Sequence, residues 1–192
     1  MRKYLLTLVM LLVGTAGPAL AQGAADRVLG KTDAPITIIE YASLTCPHCA
    51  EFHNTVLPEL KKQYVDTGKV KFIYRDFPLD QLALRAAMLA RCAPEERYFA
   101  FVEVLFKNQQ SWAAASDPMA ALSRIGRLGG VPAEKIESCL NDKALADAVL
   151  ESRMTGAKDF DVKSTPTILV NGKKVDALTF PELDRLLKPL AS

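Results

Sequence analysis

Ile36-Thr37-Ile38-Ile39-Glu40-Tyr41-Ala42-Ser43-Leu44-Thr45-Cys46-Pro47-His48-Cys49 carries a strand, a turn and a helix start in one short stretch. Residues 36–41 are β-branched and apolar apart from Glu40, the pattern of a buried strand. From Pro47 to about Asp66 the period turns helical, with Phe52, Val56, Leu60 and Tyr64 on one face. Pro58 inside that run predicts a kink, and Gly68 ends it. Residues 70–74 alternate Val70, Phe72 and Tyr74 against Lys71 and Ile73, which predicts a second strand. Two strands flanking one helix make a βαβ unit, and its strands run parallel.

The chemistry lies where the first strand meets the helix. Cys46 falls at the N-cap, and Pro47 takes the first helical position, where a missing N–H costs nothing. Unpaired backbone N–H groups and the positive end of the helix dipole then face the Cys46 sulfur and favour its thiolate. His48 adds donors and, when protonated, a positive charge. Cys49 follows three positions later on the same turn, close enough to close a small disulfide ring. The spacing predicts an exposed, reactive Cys46 and a buried Cys49 that resolves mixed disulfides. A structural disulfide is the blander alternative, but the strand-to-helix position inside βαβ favours redox chemistry. Zinc wants four ligands and finds only Cys46, Cys49 and His53. Haem attachment needs histidine after the second cysteine, where the chain has Ala50. No metal or organic cofactor is expected. His53 itself reads as a surface or packing residue, and Trp112 and Met119 carry no functional signal.

From about residue 80 to 161 the chain is alanine-rich without a strand pattern. Helices are expected over 81–92, 95–108, 118–128, 132–140 and 143–160, with Asp117-Pro118 and Val131-Pro132 as starts and Gly129-Gly130 as a stop. Strands return at 167–170 and 173–175, joined by Asn171-Gly172 as a type I′ hairpin turn. Thr179 with Glu182 makes a capping box for a last helix through Leu187. The order βαβ, five helices, ββα predicts an α/β domain with a helical insertion packed on the sheet.

At the N-terminus, Arg2 and Lys3 precede an apolar run and Ala19-Leu20-Ala21, the layout of a cleaved signal peptide over residues 1–21. Ten apolar residues are too few to span a bilayer, which needs about 20. Export, with so short a basic segment, points to the bacterial periplasm, where disulfides persist. The chain carries 24 Lys and Arg against 22 Asp and Glu, and without those first 21 residues the two signs balance. A neutral chain without a basic run is a poor nucleic-acid binder.

Residues 40–49, the later Thr165-Pro166 and the long helical insertion resemble the DsbA family, periplasmic thiol:disulfide oxidoreductases of thioredoxin fold. The likeness covers residues 28–190 and places the thioredoxin halves at about 28–79 and 162–192, with the insertion at about 80–161. Cys-Pro-His-Cys is typical of the oxidising branch, whereas thioredoxins tend to carry Gly-Pro between the cysteines. The resemblance implies a disulfide oxidase for reduced exported proteins, recycled by a DsbB-like quinone-linked membrane partner. It implies a cis peptide at Pro166 beside the disulfide, with Thr165 offering its backbone to an extended substrate. An acid matching Glu40 lies beneath the disulfide in that family and handles protons for the buried cysteine. A buried carboxylate must be paired, protonated or functional, and Arg75 on the neighbouring strand is the alternative partner. Cys92 and Cys139 are expected to form a structural disulfide rather than a second catalytic pair, with two buried thiols as the alternative. The dimerisation domain of periplasmic isomerases has no counterpart before the first strand, so a monomer is expected. The rival readings are an isomerase or reductase kept reduced by a membrane electron donor, for which Thr165 rather than Val before the proline leaves room, and, in other classes, a copper- or zinc-handling protein or a chaperone with redox-silent cysteines.

Overall fold

A computed structural model describes residues 25–191. The expected signal peptide lies outside them. Five strands form one sheet in the order β1-β3-β2-β4-β5. They are β1 (Arg27–Leu29), β2 (Ile36–Ala42), β3 (Val70–Asp76), β4 (Thr167–Val170) and β5 (Lys173–Val175). β2 and β3 pair in parallel across the crossover helix, and the other pairs are antiparallel. β1 escapes the sequence reading because three residues show no period, and its pairing to Phe72–Tyr74 is non-local. The chain has a thioredoxin fold with a helical subdomain inserted between β3 and β4.

Helices cover both faces of the sheet, so β2 is buried on both and its alternation sorts residues by face rather than by exposure. Ile36, Ile38 and Ala42 join the larger core with Val70, Phe72 and Tyr74. Ile39 and Tyr41 join a smaller one with Ile73, Phe77 and Leu169. α1 (47–65) packs on the larger face. It is not a uniform α-helix, because Phe52–Val56 and Lys61–Val65 are π-helical turns. Pro58 has no N–H for the Asn54 carbonyl, and the widened turn, with Leu57 N–H bonded to Phe52 O, absorbs the mismatch.

The insertion holds α2 (Gln81–Arg91), α3 (Tyr98–Lys107), α4 (Gln109–Ala113), α5 (Pro118–Leu128), α6 (Ala133–Leu140) and α7 (Lys143–Asp159). Asp80, Asp117 and Asp142 cap α2, α5 and α7, each accepting an N–H three residues on at 2.7–3.0 Å. α4 is a sixth helix where five were expected. One turn is too short for a period, and its buried Gln109 and Trp112 are fixed by tertiary contacts. α7 reaches the smaller core through Gly156, where a Cβ would stand 2.6 Å from the Tyr41 ring, so only glycine allows the approach. At the hairpin, Asn171 and Gly172 both have positive φ, as a type I′ turn requires. Glu182 accepts the Thr179 N–H at 3.0 Å and opens α8 (Phe180–Leu187).

Candidate active site

Cys46 ends the β2–α1 turn in extended geometry and is the N-cap of α1, with Pro47 at the first helical position. The turn is held from three sides. Ser43 O accepts the Cys46 N–H at 3.1 Å. Thr45 Oγ1 donates to Asp80 at 2.7 Å. The buried Gln109 amide donates to both Leu44 O and Cys46 O at 2.9 Å, which fastens the insertion to the turn.

The loop before β4 closes over the cysteine. Thr165-Pro166 is a cis peptide, and Thr165 O lies 3.3 Å from Cys46 Sγ. Cys46 is therefore only 5% exposed, not the open sulfur the spacing predicts. The cover comes from a residue 119 positions away, which no local pattern reveals. The Thr165 hydroxyl is buried, with no hydrogen-bond partner among the described residues.

Cys46 and Cys49 are free thiols with very different acidities. The Cys49 thiol, hydrogen-bonded to the Cys46 sulfur, brings Cys46 down to about 5. Burial opposes this, while Thr165 and the backbone N–H groups of Cys49 and His48 add to it. Cys49 is shifted far upward, first by burial, then by Cys46 and by the charge of Glu40. The His48 ring points outward, with Nδ1 3.8 Å from the exposed Glu51 carboxylate.

Glu40 is fully buried on the larger core face, and its Oε2 lies 2.7 Å from His53 Nε2. Arg75, the expected alternative, is elsewhere. It pairs with Tyr41 in the β2–β3 register, on the opposite face from Glu40, and bonds Asp26 at 2.8 and 2.9 Å and the Tyr41 hydroxyl at 2.8 Å. His53 is the residue that the sequence reading missed. It sits one turn beyond Cys49 and three before Val56, so the apolar face of α1 already marked it as inward. Among the described residues, no group of three or more His, Cys, Asp or Glu side chains could hold a metal ion.

Cys92, just beyond α2, is bonded to Cys139 in α6, with Cα atoms 6.4 Å apart. Trp112 is buried and donates its indole N–H to Leu105 O at 2.8 Å, a packing role. Met119 packs partly buried against the larger core.

The thioredoxin family model matches residues 23–189. A Rickettsia prowazekii protein named as a protein-disulfide oxidoreductase is 34% identical over 161 residues, 83% of this chain. The chain spans 59% of that relative's length. The disulfide bond formation protein D of Bacillus subtilis is 28% identical over 77% of this chain and 68% of its own. In three dimensions, alpha-DsbA1 of Wolbachia pipientis superposes with a TM-score of 0.80 at 34% identity, covering 86% of this chain and 90% of that one. A helix-capping Cys-Pro-His-Cys, an inserted helical subdomain and this likeness across nearly all of a DsbA lead to one conclusion: the chain belongs to the DsbA family of the thioredoxin superfamily.

Proposed function

We propose that the protein is a periplasmic thiol:disulfide oxidase that passes the Cys46–Cys49 disulfide to folding exported proteins. The observation that carries this reading is the opposed acidity of the two cysteines, Cys46 lowered to about 5 and Cys49 raised. A stabilised thiolate stabilises the reduced pair, so the disulfide is a strong oxidant.

A substrate thiolate attacks Cys46, the sulfur nearer the surface. The Cys46–Cys49 bond breaks, a mixed disulfide forms, and Cys49 leaves with the electron pair and takes a proton. The substrate's second thiolate then attacks its own sulfur in the mixed disulfide and releases Cys46 as the better leaving group. Two electrons have moved from the substrate dithiol to the enzyme. Glu40, buried beside Cys49, is the group that handles the Cys49 proton. Thr165 and Pro166 hold the substrate as an added extended strand. A groove of about 480 Å³ begins at this loop and is lined by Ser164, Pro166, Val175 and Leu178. A DsbB-like quinone-linked membrane protein restores the disulfide, and the protein works as a monomer. The Cys92–Cys139 bond is structural.

The test is a trapping experiment. Cys49→Ala is charged with a small disulfide on Cys46 and given a peptide with a single cysteine, which has no second thiol to resolve an adduct. The peptide thiolate should attack Cys46 Sγ, the small thiol should leave, and the peptide should stay as a mixed disulfide on Cys46 alone. Adducts through any other cysteine, or oxidation that survives Cys46→Ala, would contradict the assignment.

A further inference from the structure

Cys49 poses a problem that the active-site turn does not solve. Its sulfur is fully buried, yet it must gain a proton when the disulfide opens and lose one when it re-forms. Glu40 is equally buried, so a proton it gives away has to be replaced from outside. One Glu40 oxygen, Oε2, is engaged by His53 at 2.7 Å. The other, Oε1, is buried with no partner among the described residues.

His53 connects this carboxyl to the far side of α1. Its ring stacks on Phe106 with centroids 4.1 Å apart and meets Tyr74 and Phe72 edge-on at 5.7 and 6.4 Å. It also lines a cleft of about 490 Å³ between the kinked part of α1 and the start of α3, with Leu57, Pro58 and Phe99. Charged groups at this cleft are Lys61 and Lys62 from α1, Asp66 just past its end, and Glu96 and Glu103 from the α3 side. Inside, the ionisable groups that feel the charge of Glu40 are Cys49, Tyr74 and Tyr98. A purely packing residue in an aromatic cage would be apolar, because a buried ring with two nitrogens carries a desolvation cost. An imidazole bonded to a buried carboxylate and bordering a cleft is the arrangement of a proton carrier.

We propose that His53 relays protons between solvent in this cleft and Glu40, and so serves Cys49 from behind the disulfide, away from the substrate face. The relay rests on the proposed role of Glu40. When the Cys46–Cys49 bond breaks, the Glu40 carboxyl gives its proton to the departing Cys49 sulfur. Glu40 is refilled through the His53 ring, which hands on the proton at Nε2 as it takes one from water in the cleft. Reoxidation runs the same transfers backwards, and no electron passes through the dyad. His53 touches Glu40 rather than the sulfurs and is a positioning residue.

The test follows single-turnover opening of the oxidised protein by a dithiol peptide at mildly alkaline pH, where free protons are scarce. His53→Ala and His53→Gln should both lose on the order of 10²-fold in rate. Gln keeps a hydrogen bond to Glu40 but carries no proton. Imidazole should restore His53→Ala through the cleft, and pyrazole, of the same shape but far less basic, should not. A His53→Gln rate equal to that of the unchanged protein, or equal rescue by both azoles, would overturn the relay. Glu40→Gln separates the two readings. If it is slow while both His53 variants are fast, the relay alone fails. If Glu40→Gln is itself as fast as the unchanged protein, the Glu40 assignment fails with it.

Discussion

Reduced protein titrated downward in pH should lose the ultraviolet absorbance of one thiolate with a midpoint near 5, and Cys46→Ser should abolish that signal together with all dithiol oxidation. An ordinary cysteine titrates near 9.0, so the shift is large, and its causes are local. The Cys49 thiol donates to the sulfur, and Thr165 and the N–H groups of His48 and Cys49 surround it. The shift is also a statement about stability. The folded value lies below the unfolded one, so the contribution is fully present above about 9 and is lost as pH falls through about 5. Only the reduced form has a thiolate to stabilise. Reduced protein should therefore resist urea better than oxidised protein at neutral pH, and the difference should shrink as pH falls to about 5. A midpoint near that of a free thiol would show that neither the Cys49 thiol nor the helix N-terminus holds the Cys46 thiolate.

The second large effect concerns the other cysteine pair. Cys92 and Cys139 are 47 positions apart, and in the chain-entropy model closing such a loop restrains the unfolded state by about 4 kcal/mol. Cys92→Ser/Cys139→Ser should lower the stability by that order, roughly 8–16 °C in Tm for a domain of this size. The folded state itself should change little. Cys139 Sγ lies 3.4 Å from Met88 O, and a serine hydroxyl there can donate to the same carbonyl. Thermal melts of the two proteins, with the active-site pair in the same redox state, check this. A change of less than about 1 kcal/mol would mean that the insertion stays compact in the unfolded ensemble without the crosslink.

Much of this architecture was legible because its signals are short-range. The β2 run, the cap at Cys46-Pro47, the three Asp-capped helices and the Asn171-Gly172 turn each lie within a few residues, and the helix ends fell within three positions of the structure. What escaped depends on residues far apart in the chain. Cys46 looked exposed because the Thr165 loop that closes over it lies 119 positions away. Arg75 looked like a partner for Glu40, although the register that puts Glu40 beside Tyr74 sends Arg75 to the other face. His53 is the instructive case, since its place in the phase of Val56, Leu60 and Tyr64 marked it as buried. Its partner could not be read, because the contact joins a helix face to a strand face across the core.

Oxidase and reductase readings differ most directly in one quantity, the equilibrium reduction potential of the Cys46–Cys49 pair against glutathione. A thiolate held near 5 should make it more oxidising than the glutathione poise, well above the roughly −270 mV of thioredoxin. A value at or below that of thioredoxin would contradict the oxidase assignment and make the protein a reductase.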